Sequence, residues 1–421
     1  MRVVTQVLAT TVIDFFVKFA AAVLMARYLG PTDKGVLAFA QLIIAWVVTL
    51  GNLSIYEANI FLLGSKRFSV AEVSSTTLMV SMISGLLYAL VLFGLVWFHV
   101  VSWAVGQPIV LYLLVWTIPF ALLTNNLIAI LQGMSLFREY NVLVLVRSSS
   151  LFVSVLFVIR WCPDRLMGFV YANVITTVAV AMVLAVYLAR LAEWKFRISF
   201  QFVKEAVQYG VRGYLRVVLT QVSLVFDKFV LGTAMDPAYL GWYSVAVGLS
   251  GGLVMFPDAA GLVLFPRVAG NQASGAALAA STCRRTLMIM VAGALAGIVL
   301  GRPVIRLLYG EPFLPSVLPF YVLMVAAIFQ ALSRVLRFYL LGMGRPQLTL
   351  WSTGAAALAT AVFIYPLVRH FGMMGAAFVS LLAQVIGAGV DLMLAARLST
   401  FKMRRFIVPE ESDVRLATWK P

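Results

Sequence analysis

Long apolar runs recur along almost the whole chain, and they constrain its fold more than any motif does. They fall at roughly 3–27, 36–63, 73–98, 108–132, 140–160 and 166–190, and again at 205–232, 238–266, 284–302, 315–342, 347–369 and 373–397. Each is long enough, at about 1.5 Å per helical residue, to cross about 30 Å of hydrocarbon. Within lipid no water is present to bond exposed N–H and C=O groups, so runs of this kind are helices. Hydrophobic residues make up 62% of the chain and charged residues 11%, against about 45–50% and about 25% in soluble domains. The expected fold class is therefore an all-α membrane protein of twelve transmembrane helices. The most polar interior stretch, RLAEWKFRISFQFVKE, separates six spans from six. The expected organisation is a six-helix lobe over 1–190, a cytoplasmic linker over 191–204, a second six-helix lobe over 205–397 and a cytoplasmic tail over 398–421.

The net charge of +16 suggests nucleic acid only until the basic residues are placed. With the N-terminus in the cytoplasm, Arg2, Lys66, Arg67, Arg138, Arg190, Lys195, Arg197, Lys204, Arg267, Arg284, Arg285, Arg345, Arg397, Lys402, Arg404, Arg405, Arg415 and Lys420 all fall on the cytoplasmic side. The opposite side holds only Arg27, Lys34, Arg160, Arg165, Arg302, Arg306 and Arg369. That asymmetry is the positive-inside signal of a multi-pass protein with both termini cytoplasmic, not a nucleic-acid footprint. Cys162 and Cys283 fall near opposite faces and are not expected to pair. The sequence has no zinc spacing, P-loop or dinucleotide fingerprint, so no metal or cofactor is expected.

The chain repeats itself. ARYLGPTDKGVLAFA (26–40) is echoed by LGTAMDPAYLGWYSVAV (231–247), with Pro31 and Pro237 separated by 206 residues (237−31) and Gly35 and Gly241 by the same 206 (241−35). LQGM at 131–134 resembles LLGM at 340–343, an offset of 209 (340−131), and LMGF at 166–169 resembles MMGA at 373–376, an offset of 207 (373−166). Six is an even number of spans, so the copies keep one orientation. Parallel repeats about an axis along the membrane normal are a transporter construction.

Charges inside the spans point to what is transported. Lys18, Arg147, Arg212, Arg216, Lys228, Arg334 and Arg337, with Asp14, Glu57, Asp227, Asp258 and Asp391, lie within apolar runs. Each costs about 2.5–3.5 kcal/mol at a helix centre on insertion scales, so each must face a partner, water or a ligand. Gln6, Thr10, Asp14 and Lys18 recur every four residues on one helical face, as do Arg212, Arg216 and Thr220 in the seventh span. Gln41, Thr49, Asn52, Tyr56 and Asn59 mark the second span, Gln330, Arg334 and Arg337 the tenth, and Ser380, Gln384 and Asp391 the twelfth. Polar faces on corresponding helices of both halves imply a wet cavity between them. Asp14 and Lys18, at i and i+4, also fit a simple ion pair. Arg216, Arg334 and Arg337 lack an acidic neighbour in sequence. Guanidinium binds phosphate and carboxylate in a bidentate manner, so the residues alone indicate a two-lobed transporter for an anion.

ARYLGPTDKGVLAFA, FDKFVLGTAMDPAYLGWYSVAV and GMMGAAFVSLLAQVIG resemble the polysaccharide-repeat-unit flippases of bacteria, within the multidrug/oligosaccharidyl-lipid/polysaccharide exporter superfamily. Arg27, Leu29, Gly30, Pro31 and Gly35 match the motif after the first helix, and Asp227 and Lys228 match an acid–base pair in the seventh. The resemblance implies two six-helix lobes in a V around a central cavity, opening alternately to each side. It implies export of an undecaprenyl-pyrophosphate-linked oligosaccharide across the bacterial plasma (inner) membrane for cell-surface polysaccharide assembly. It also makes membrane lipid and a polysaccharide polymerase candidate partners. Arg212, Arg216, Arg334, Arg337, Arg147 and Lys18 are then expected to bind the pyrophosphate-linked substrate. Asp14, Glu57 and Asp391 are candidates for ion coupling. Relatives that flip peptidoglycan precursors tend to carry arginines on the first helix, where this chain has Asp14 and Lys18. A cation-coupled drug exporter of the same superfamily would use the acids instead. A membrane glycosyl ligase or polymerase would need a larger outer loop than any here, so an enzyme is not expected.

Overall fold

The structure, a computed structural model, describes residues 2–98, 107–191, 196–399 and 401–408. Among these residues the chain is helical with no strand. In order the α-helices are α1 (Arg2–Gly51), α2 (Ile55–Gly64), α3 (Val70–Trp97), α4 (Pro108–Leu114), α5 (Ile118–Gly133), α6 (Phe137–Trp161) and α7 (Arg165–Leu191). They continue as α8 (Phe200–Ala234), α9 (Pro237–Gly251), α10 (Met255–Gly270), α11 (Gln272–Tyr309), α12 (Val317–Gly342), α13 (Thr349–Phe371), α14 (Met373–Leu398) and α15 (Arg404–Ile407). Eleven helical stretches among the described residues are long and apolar enough to cross a membrane. The first of them, Ala9–Gly51, is two spans joined at a kink, because Gly30 leaves the helical region at φ 75° and ψ 174°. Glycine alone adopts that conformation cheaply, and Pro31, lacking an N–H, is suited to start the next helix. The expected twelve traverses are thus present.

The chain forms two compact units, Met1–Val218 with Asp236–Gly241 and Leu219–Met235 with Trp242–Pro421. Within the first unit, the expected second span is broken. Leu53 and Ser54 have positive φ of 47° and 60°, and α2 restarts beyond them. A buried amide–hydroxyl network ties α2, α3 and α5 together. Asn59 donates to the Asn126 carbonyl at 3.1 Å, Thr77 to Asn59 Oδ1 at 3.3 Å, and Asn126 to Ser81 at 3.0 Å. Tyr56 donates to Gln132 at 2.7 Å. Asn59 and Tyr56 therefore serve helix packing rather than a wet face. Ser69 and Glu72 form a capping box at the start of α3, which satisfies two otherwise orphaned N–H groups. Within the expected linker, the backbone N–H groups of Arg197 and Ser199 donate to Ser75 and Thr76 at 3.2 and 2.9 Å. Phe202 of α8 is buried in the same core as Leu127 and Leu184.

The sequence repeat is also a repeat of backbone geometry. After α5, the N–H groups of Met134, Ser135 and Leu136 donate to the carbonyls of Ile130, Gln132 and Leu131. After α12, Met343, Gly344 and Arg345 donate to Tyr339, Leu341 and Leu340, the same pattern shifted by 209 (343−134). Ser135 and Gly344 both take positive φ, 60° and 70°, as a C-terminal helix cap requires. The two copies of the proline–glycine motif meet reciprocally in the first unit. A Cβ on Gly35 would overlap the carbonyl of Pro237, and one on Gly241 would overlap the carbonyl of Pro31. Residue i contacts j while j contacts i, the arrangement of a self-complementary patch.

Candidate functional site

Each unit holds its own polar concavities. In the first, two adjoining chambers of about 240 and 310 Å³ share Ala121, Arg147, Asn173 and Thr177. The smaller adds Lys18, Thr124 and Thr176, and the larger adds Gln41, Thr49, Thr117 and Asn125. Helices α1, α5, α6 and α7 supply these side chains, except Thr117, which ends the 3-10 turn before α5. Lys18 bonds Asp14 at 2.8 Å, and the Asp14 carboxylate also acts electrostatically on Arg147. Asp14 Oδ1 is buried without a hydrogen bond. Thr117, Thr124 and Thr176 spend their hydroxyl hydrogens on carbonyls of their own helices. Among the described residues, the side chains of Gln41, Thr49, Asn125, Arg147, Asn173 and Thr177 make no hydrogen bond to protein. Polar groups inside apolar helices are expensive to leave without a partner, which makes these side chains candidates to meet water or a polar ligand.

In the second unit a concavity of about 300 Å³ is lined by Ser223, Asp227, Lys228, Tyr243, Asp258, Gln330, Arg334, Ser380 and Gln384, among others. Its charges balance. Asp227 is buried and accepts from Tyr243 at 2.5 Å and from Ser380 at 2.8 Å. Arg334 donates to both oxygens of Asp258 at 2.5 and 2.7 Å.

The residues expected to bind an anion thus separate. Lys18 and Arg147 line the first unit's chambers. Arg334 and Arg337, which lack an acidic neighbour in sequence, gain one from another helix. Arg334 of α12 meets Asp258 of α10, and Arg337 meets Asp391 of α14 at 3.1 Å. Arg216 is exposed on α8 and engages another residue. Arg212 belongs to α8, but its side chain lies outside the described residues. Of the acids expected to couple ions, Asp14 sits in the pair with Lys18. Asp391 is fully buried, held by Arg337 and by Ser333 at 2.5 Å. Glu57 lies in the first turn of α2, where the helix dipole favours an acid. Among the described residues, no group of three or more His, Cys, Asp or Glu is placed to hold a metal ion. Sequence reasoning missed Asn125, Asn173 and Thr177. Their signal is present: Asn173 and Thr177 lie four residues apart on one face of an otherwise apolar helix.

Three solved structures share this architecture. The lipid II flippase MurJ in an inward closed conformation matches with a TM-score of 0.78 at 14% identity, covering 94% of this chain and 88% of that one. A multidrug resistance MATE family transporter of the MOP superfamily, inward-facing, matches at 0.70 and 14% identity, covering 91% and 94%. A MOP superfamily transporter from Pyrococcus furiosus matches at 0.66 and 15%, covering 94% and 95%. Identities this low establish a common fold. No curated protein sequence matches significantly. The family model described as polysaccharide biosynthesis protein matches residues 24–318, well over half of the chain. The chain therefore belongs to the polysaccharide biosynthesis protein family, and it is a multi-pass membrane protein with the MOP superfamily fold.

Proposed function

We propose that the protein is a flippase that moves an undecaprenyl-pyrophosphate-linked oligosaccharide across the bacterial plasma membrane by alternating access, for cell-surface polysaccharide assembly. The observation that carries this reading is the pair Lys18 and Arg147, two cations lining chambers whose other polar groups are neutral amides and hydroxyls. A pyrophosphate needs the cations and sugar hydroxyls need the neutral groups. Charge-assisted hydrogen bonds to such an anion contribute about 1.5–3 kcal/mol each. Membership of a polysaccharide biosynthesis family supports the substrate class. A non-enzymatic role agrees with this, since export makes and breaks no covalent bond. The test is transport of a lipid-linked oligosaccharide in proteoliposomes under imposed proton, sodium and voltage gradients. Transport above protein-free vesicles is the expected result, and its absence under every gradient overturns the reading.

Coupling through Asp14 belongs to the same proposal. Asp14→Asn is expected to slow transport more than it lowers the melting temperature, because one carboxylate oxygen is buried without a hydrogen bond. If Asp14 and Lys18 form only a fixed pair, the double change Asp14→Ala with Lys18→Ala is no worse than either single change. Equal loss of transport and of folding removes the coupling role.

The second unit's concavity favours a second reading, a cation-coupled drug or small-molecule exporter, because Asp227 and Asp258 line it. Efflux of a quaternary-ammonium dye from proteoliposomes, without lipid-linked oligosaccharide transport, is the outcome that selects it.

A further inference from the structure

The two chambers of the first unit differ in chemistry and share Arg147 as their one common charged residue, beside Ala121, Asn173 and Thr177. The smaller, about 240 Å³, brings Lys18 and Arg147 together beside Thr124 and Thr176. The larger, about 310 Å³, has Arg147 as its one charged lining residue, with Gln41, Thr49, Asn125, Asn173 and Thr177 around it. Its remaining wall is apolar apart from Thr117, whose hydroxyl donates to the Leu114 carbonyl, and includes Ile44, Val48 and Leu114. A pyranose ring has a hydroxyl edge and a C–H face, and this wall offers both an amide–hydroxyl rim and an aliphatic floor. Ligand sites run from about 300 Å³ upward, so a chamber this size suits one ring rather than a whole glycan. Among the described residues, none of its lining side chains is a carboxylate that could recognise an amino group.

We infer that Arg147 marks the junction of a divided headgroup site, with the diphosphate in the Lys18 chamber and the first, neutral sugar in the chamber lined by Gln41 and Asn125. The guanidinium bonds the non-bridging oxygens of the phosphate attached to the glycosidic carbon. Its planar fork suits that place, since it spans a phosphate and the adjoining ring hydroxyl at once. Arg147 makes no hydrogen bond to protein within the described residues, so its five N–H donors remain for the ligand. Asp14, paired with Lys18, offsets part of the positive charge. The phosphate chamber thus has less than two full charges available to hold a substrate that must also leave. This division rests on the flippase reading above.

The test measures binding of defined probes to the full-length protein in detergent. The probes are a short prenyl diphosphate and the same lipid carrying one glucose, galactose or N-acetylglucosamine. The wild type is expected to bind the diphosphate, and at least one glycosylated probe more tightly. Arg147→Gln weakens all probes by about tenfold or more, as loss of a charge-assisted contact implies, while Arg147→Lys restores diphosphate binding without the sugar increment. Gln41→Leu and Asn125→Leu, on different helices, abolish the sugar increment and leave diphosphate affinity unchanged. The division is overturned if no sugar adds affinity, if these two changes weaken both probe types alike, or if Arg147→Gln is silent. In those cases diphosphate binding still supports the flippase reading. A wild type that binds no prenyl diphosphate overturns both.

Discussion

Asp391→Ala is expected to destabilise the second unit by about 3 kcal/mol, the lower end of the range for breaking a buried ion pair from one side. Asp391 is fully buried, and one of its oxygens accepts from both Ser333 and Arg337. Removing it leaves the half-buried Arg337 guanidinium without its carboxylate and strips Ser333 of its acceptor. The converse change, Arg337→Met, leaves a carboxylate with no cation in the same place and is expected to cost at least as much. Replacing both, Asp391→Leu with Arg337→Met, should recover most of the loss, because a packed apolar pair often matches a buried salt bridge. Equilibrium unfolding in mixed micelles of Asp391→Leu, Arg337→Met and the double variant measures this as a double-mutant cycle. Additive losses in the double variant would show that the pair is not a coupled unit. Asp391 was expected to couple ions. A fixed pair predicts that the double variant transports as well as it folds.

Gly35→Val and Gly241→Val are each expected to destabilise the protein by about 1–3 kcal/mol or more, the cost of forcing atoms into filled space. The obstacle in both cases is backbone: the carbonyls of Pro237 and Pro31 occupy the place of the new Cβ. A side chain can rotate away from a clash, but a carbonyl at the first turn of a helix cannot. Because both changes press on one reciprocal contact, the second is expected to cost less than the first once the motifs have parted. Gly94→Ala is the control. It lies within α3 with nothing within 4 Å of a new Cβ, so alanine there is neutral or slightly stabilising. Thermal unfolding in detergent measures all three, and full additivity of the two motif changes would dissociate the two contacts.

The polar stripes illustrate how far a helical period can be read. Gln41, Thr49, Tyr56 and Asn59 look alike in sequence, each a polar residue in an apolar span. In the fold Gln41 and Thr49 line a chamber, Asn59 is locked to Asn126 and Thr77, and Tyr56 to Gln132. The helix between them breaks at Asn52–Ser54, and beyond that break the old periodicity no longer predicts a face. Gly51 and Asn52 stand at the break, but a run this apolar hides them, and Leu53 and Ser54 rather than glycines take the positive φ.

By itself the sequence determined the membrane class, the helical traverses, their repeat and a break between the first two spans around Gly30–Pro31. Those depend on local quantities: the length of an apolar run, the period of its polar residues, and the backbone freedom of glycine beside proline. Only the tertiary structure decided which charges are already satisfied. Arg334 and Arg337 lie three residues apart on α12, and their acids come from α10 and α14, 76 and 54 residues away. Asn125, Asn173 and Thr177 become one chamber with Arg147 only once α5, α6 and α7 pack together. Pairing is a property of which helix faces which, and a period along one helix carries no information about its neighbour.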